Sequence, residues 1–198
     1  MLRAAVIALI LSLSLLAAAP ARAGLDQEVQ RAMTARDQGD WAQATRILGR
    51  LIAHPGLGKA QRGELLVLRG VLWQEMREYY RAISDFTRAI ELTPDRAEAH
   101  NNLAWIMATC WNADYRDAEK ALTHARRAVE LLPGQPDPLD TLAAAQAEAG
   151  QWEAAVATQE KALAMLEKQA PSPNLDQARQ RLAHYMAQKP WRDWAYKH

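Results

Sequence analysis

Chemistry-bearing patterns are scarce in this chain of 198 residues. Its one cysteine, Cys110, excludes an internal disulfide, so stability must come from packing alone. The histidines His54, His100, His124, His184 and His198 form neither a His-Glu-x-x-His pattern nor a Cys/His metal spacing. Neither a glycine-rich phosphate loop nor a Gly-x-Ser-x-Gly elbow occurs. Charge of one sign is also missing: 24 basic residues stand against 23 acidic. Such a balance gives no general pull toward nucleic acid or an anionic membrane. The residues therefore imply no cofactor, no metal and no enzymatic activity. A thiolate pairing of Cys110 with His100 or His124 is the one catalytic arrangement to weigh. The plainer reading makes Cys110 a small packing residue at a helix end.

The one long apolar run lies at the N-terminus. Arg3 precedes an uncharged stretch from Ala4 to Ala19, and Ala21-Arg22-Ala23 supplies a small-x-small cleavage site. The alternative is an uncleaved anchor, but a spanning helix needs about 20 apolar residues and this run falls short. Residues 1–23 are thus expected to be a signal peptide cut after Ala23, with a secreted product. Its loss takes two of the 24 basic residues and leaves 22 against 23 acidic.

What the chain has in plenty is regularly spaced alanine. Ala44, Ala82, Ala121 and Ala155 are followed seven residues later by Leu51, Ala89, Ala128 and Ala162. Twelve residues before the first, second and fourth anchors stand Ala32, Gly70 and Ala143. In the third copy the small residue is Ala104, which places five extra residues in that turn. Small residues at fixed intervals mark close helix crossings. Around the anchors, Ala82, Ile83, Phe86, Ala89 and Ile90 lie on one helix face. Ala121, Leu122, Ala125, Ala128 and Val129 repeat the pattern; the first copy carries polar Thr45, and the fourth polar Gln159. The spacing predicts an all-α superhelix of about four helical hairpins plus a C-terminal capping helix.

Turn residues agree. Gly39 and Gly150 sit between the helices of the first and fourth hairpins, and Pro55, Pro94 and Pro133 close second helices. Asp95 with Glu98 reads as a capping box, and Asp137 before Pro138 as an N-cap. Hairpins are expected at about 25–56, 63–95, 97–134 and 136–168, with a capping helix at about 174–188 and a tail from 189 to 198. The tail is expected to be loosely held, with Trp191 and Trp194 free to fold back.

These marks resemble tetratricopeptide repeats, best seen in Leu66, Gly70, Trp73, Tyr79, Ala82, Phe86, Ala89 and Pro94. Residues 99–192 look like a bacterial group of such proteins, with Asn101-Asn102-Leu103-Ala104-Trp105, Ala108-Thr109-Cys110 and Leu139-Asp140-Thr141-Leu142-Ala143. Lys189-Pro190-Trp191-Arg192 resembles that group's usual ending, whereas Trp111 and Ala118 depart from its proline and glycine. The resemblance implies the fold, a bacterial source and hence a periplasmic destination for the secreted chain, and no single activity.

A protein-binding module with a concave groove is the function this points to, as an adaptor or assembly factor. The alternative is a self-associating structural subunit using an end face or the tail. Trp41, Trp73 and Trp152 hold repeat positions that pack between helices. For Trp105 two readings stay open: core packing, or an anchor in the groove beside Asn101, Gln74, Glu75 and Asp140. Asn101 and Asn102, poor helix formers, suit hydrogen bonds between repeats or ligand contact. Glu64, Glu75, Glu98 and Asp140 are either a solvated helix face or a groove that prefers a basic or basic-apolar partner segment.

Overall fold

A computed structural model describes residues 19–168 and 173–193. Among them are nine α-helices and no strand. They are α1 (Ala19–Asp37), α2 (Trp41–Ile52), α3 (Lys59–Glu75), α4 (Tyr79–Leu92), α5 (Ala97–Thr109), α6 (Ala118–Leu131), α7 (Pro136–Glu148), α8 (Trp152–Leu166) and α9 (Pro173–Met186). The expected signal peptide lies largely outside the described residues, as does Trp194. No helix among the described residues is long and apolar enough to cross a membrane.

Each helix packs on its hairpin partner and on the next hairpin, so the core is a chain of local clusters. One joins α1, α2 and α3; the next spans α3 to α5 and takes in Tyr115; the last unites α5 to α9. The repeated small residues make this closeness possible. Ala32, Ala44, Ala82, Ala89, Ala104, Ala121, Ala128, Ala143, Ala155 and Ala162 are all fully buried. At Gly70 a Cβ would come within 2.6 Å of Phe86 Cε1, so only glycine lets α3 lie this near α4. First helices meet one another along the stack, α3 with α5 and α5 with α7, in addition to their own partners. They therefore line the inner face.

Three of the four hairpin turns have one construction. Gly39, Arg77 and Gly150 occupy left-handed backbone at φ 80°, 63° and 71°. The next N–H in each turn reaches back five residues: Asp40 to Ala35, Glu78 to Trp73 and Gln151 to Gln146, each at 2.8 Å. Glycine accepts that backbone without steric cost, whereas Arg77 does not. The third turn carries the insertion, folded as a 3-10 turn at Ala113–Tyr115. Arg116 ties it down by donating to the carbonyls of Cys110 (2.8 Å) and Trp111 (3.1 Å).

Two expected caps are corrected. Asp95 does not cap α5, which starts at Ala97 behind Arg96; its carboxylate is drawn instead to Arg127 of the next hairpin. Asp137 is not an N-cap either. Helix α7 opens one residue earlier on Pro136, whose missing N–H costs nothing in a first turn, and Asp137 lies inside that turn. Among the described residues, side chains that do cap include Asp40, accepting from Gln43 N, Asp117, accepting from Lys120 N, and Asn112, accepting from Asp114 N at the 3-10 turn.

Candidate functional site

The inner face is built from the ends of α3, α5 and α7. Glu64, Gln74 and Glu75 are half-buried on α3; Asn101 and Trp105 are buried one turn apart on α5; Asp140 is buried on α7. Three of these side chains keep buried acceptor atoms without hydrogen-bond partners: Gln74 Oε1, Glu75 Oε2 and Asn101 Oδ1. Desolvation raises the Glu75 pKa above the usual carboxylate value, opposed by the nearby Arg36 charge.

Trp105 is not open to solvent. It is 5% exposed, because the chain's own C-terminal region lies over it. Its indole N–H donates to Asp193 Oδ2 at 3.2 Å, and the Arg181 guanidinium stands 5.5 Å from its ring centroid. Arg181 also lies 5.8 Å from the Trp191 ring, so two indoles flank it. Its Nε donates to Asp140 Oδ1 at 2.8 Å, and Gln159 Nε2 donates to the same oxygen at 2.7 Å. The polar residue in the fourth copy's apolar stripe is thus part of a buried node, with Asp140, Gln159 and Arg181 all at most 5% exposed. Asp140 holds α9 in place instead of facing an empty groove.

The described part of the expected tail, residues 189–193, is docked, not loose. Trp191 packs on the last core cluster and meets the His184 ring edge-on at 5.0 Å between centroids. Arg192 Nη1 donates to Glu148 Oε2 at 2.6 Å, and Arg116 Nε donates to Glu148 Oε1 at 3.0 Å. The Asp193 N–H donates to the Thr109 carbonyl at 2.8 Å, giving an isolated parallel bridge between Cys110 and Asp193. Carbonyls at the C-terminus of a helix have no partner within the helix. At α5 the C-terminal segment supplies donors to two of them, through Arg192 at Ala108 (3.4 Å) and Asp193 at Thr109. Sequence reasoning missed Arg181, Glu148 and Asp193.

The weighed thiol arrangement does not assemble. Cys110 is buried, and burial pushes its pKa up, away from the thiolate. It stands ten residues after His100 on one α5 rise, about 15 Å at 1.5 Å per residue. His100 instead faces His124, Nδ1 to Nδ1 at 2.9 Å, and its Nε2 lies 2.9 Å from the Pro94 carbonyl. The latter contact makes Nε2 the protonated nitrogen of His100, so Nδ1 accepts and His124 donates. Among the described residues no cluster of three or more His, Cys, Asp or Glu is arranged to hold a metal. Trp41, Trp73 and Trp152 are half-buried against the three clusters.

No protein-family model matches the chain, and no curated protein matches it. Solved structures do. A crystal structure of PilW, described as a widely conserved type IV pilus biogenesis factor, is 20% identical, with a TM-score of 0.67 over 82% of this chain and 68% of that one. A MamA structure is 22% identical, with a TM-score of 0.57 over 71% and 77%. MamA from Desulfovibrio magneticus RS-1 is 16% identical, with a TM-score of 0.60 over 82% and 93%. At such identities the likeness shows the fold, and the fold is an all-α, tetratricopeptide-type superhelix.

Proposed function

We propose that the chain is a non-catalytic protein-interaction module, an adaptor or assembly factor whose inner face takes a segment of a partner protein. The carrying observation is the set of buried acceptors without partners, Gln74 Oε1, Glu75 Oε2 and Asn101 Oδ1. An unpaired buried acceptor costs free energy that a donor from a bound partner would recover. Acceptors beside a carboxylate favour lysine, arginine or backbone N–H groups on that partner. The pattern of residues 1–23 supports work outside the cytoplasm, in a periplasm or beyond it. The resemblance to the bacterial group with the Asn-Asn-Leu-Ala-Trp signature is in keeping with this reading.

A photo-crosslinking side chain placed at Glu75, and separately at Arg88, tests the proposal in the organism that makes the protein. Arg88 is exposed on the second helix α4 and serves as the outer-face control. Discrete crosslinked species are expected from position 75 and not from position 88, with melting unchanged in both. Equal crosslinking from both positions, or none from position 75, contradicts the reading.

A further inference from the structure

We propose that the inner face around the ends of α5 and α7 recognises a short extended segment of aromatic–basic–acidic pattern. Residues 191–193 are then its built-in occupant, displaced when a partner segment of the same pattern arrives. This inference rests on the groove-binding reading and names the chemistry of the partner.

Every element of a peptide-binding site is occupied here by the chain itself. The main chain pairs as an added strand would, Asp193 N–H to the Thr109 carbonyl at 2.8 Å. Three consecutive side chains each have a receiver. The Trp191 ring has the α5–α9 cluster and His184. The Arg192 guanidinium has Glu148, and the Asp193 carboxylate has the Trp105 indole N–H. Guanidinium on carboxylate is the strongest and most directional of these contacts. It also brings positive charge to the C-terminal end of α7, where the helix dipole favours it.

The occupant is built to detach, and α9 is not. Arg181 and Tyr185 anchor α9 at 5% and 1% exposure, so that helix stays. Trp191, Arg192 and Asp193 are only half-buried, and the joint before them, residues 186–189, is exposed. Within the joint Gln188 has φ 52°, the left-handed backbone that ends α9, and the Lys189 N–H reaches back five residues to the His184 carbonyl at 2.9 Å. Opening beyond this joint releases the Ala108 and Thr109 carbonyls and Glu148 Oε2 together, while Arg116 stays on Glu148 Oε1.

The test titrates a fluorescent Lys-Pro-Trp-Arg-Asp peptide, read by anisotropy, into two full-length proteins. One is the unaltered chain; the other carries Trp191→Ala, Arg192→Ala and Asp193→Ala. A site closed more than nine-tenths of the time weakens its apparent affinity at least about tenfold. Saturable binding to the triple variant is therefore expected, at least about tenfold tighter than to the unaltered chain. Glu148→Gln in the triple variant, or glutamate for arginine in the peptide, is expected to weaken it. If the triple variant does not fold, Asp193→Ala alone takes its place, with affinity expected between the two. Absence of peptide binding to a folded variant overturns the inference, and so does equal binding to the unaltered chain. Crosslinking from position 75 without peptide binding would leave the groove reading standing and remove only this one. Peptide binding without crosslinking would do the reverse.

Discussion

Trp105 donates its indole N–H to the carboxylate of Asp193, a residue 88 positions away, at 3.2 Å. This contact turns the best candidate anchor of the inner face into the receiver of the chain's own C-terminal segment. Trp105→Phe keeps a ring over Arg181 but removes the donor and part of the buried indole. It is expected to cost at least about 1 kcal/mol of stability, from the hydrogen bond and the lost ring contacts together, and to speed tryptic cleavage after Arg192. Cleavage at the unaltered rate would show that the hydrogen bond does not hold the segment.

The Asp140–Arg181 pair makes a sharper energetic prediction, since their side chains are only 7% and 6% exposed. Asp140→Ala leaves a buried guanidinium without its carboxylate and is expected to cost roughly 3–5 kcal/mol. Adding Arg181→Met removes the stranded charge, so the double variant should lose less than the single one. Urea unfolding of both decides it; a double variant weaker than Asp140→Ala would contradict the assignment.

Close helix crossings set the next expectation. Ala128 is fully buried, so Ala128→Leu should overpack and cost about 1–3 kcal/mol. Gly70→Ala should fall in the same range, because its Cβ would press on the Phe86 ring. A denaturation midpoint unchanged in either variant would mean that the register of the repeats is wrong.

Sequence and structure agree where one residue type carries the whole physical reason. A repeated alanine marks a helix crossing whatever surrounds it, and Ala44, Ala82, Ala121 and Ala155 are all fully buried. Gly39 and Gly150 declared their turns in the same way, because a positive φ asks for glycine. Arg77 takes that backbone without any signal in its residue type. The inner face was harder to read because its chemistry is made by partners far apart in the chain. Gln159 looked like a flaw in an apolar stripe until Asp140 and Arg181 met it. Asp95 followed the capping pattern, yet Arg127 of the next hairpin holds its carboxylate. Local pattern could place Trp105 on the inward side of α5, but not the C-terminal segment that covers it.

The histidine pair predicts a pH dependence. Burial first, and then the neighbouring His100, lower the His124 pKa below its ordinary 6.5. The folded chain therefore binds fewer protons at this site than the unfolded chain once the pH falls below about 6.5. Stability from this site is complete above that pH and is lost as the pH falls toward the depressed folded value. His124→Asn should flatten the fall between pH 6.5 and 5 in melting curves. An identical slope in the variant would assign the dependence to other groups.

The C-terminal segment occupies the inner face through specific contacts, and a double-mutant cycle on Glu148 and Arg192 measures the strongest of them. Glu148→Gln, Arg192→Gln and the pair together are compared by urea unfolding. A favourable coupling of about 0.5–2 kcal/mol between the two positions is expected. Strictly additive losses would contradict it, since Arg192 would then not rest on Glu148 in solution.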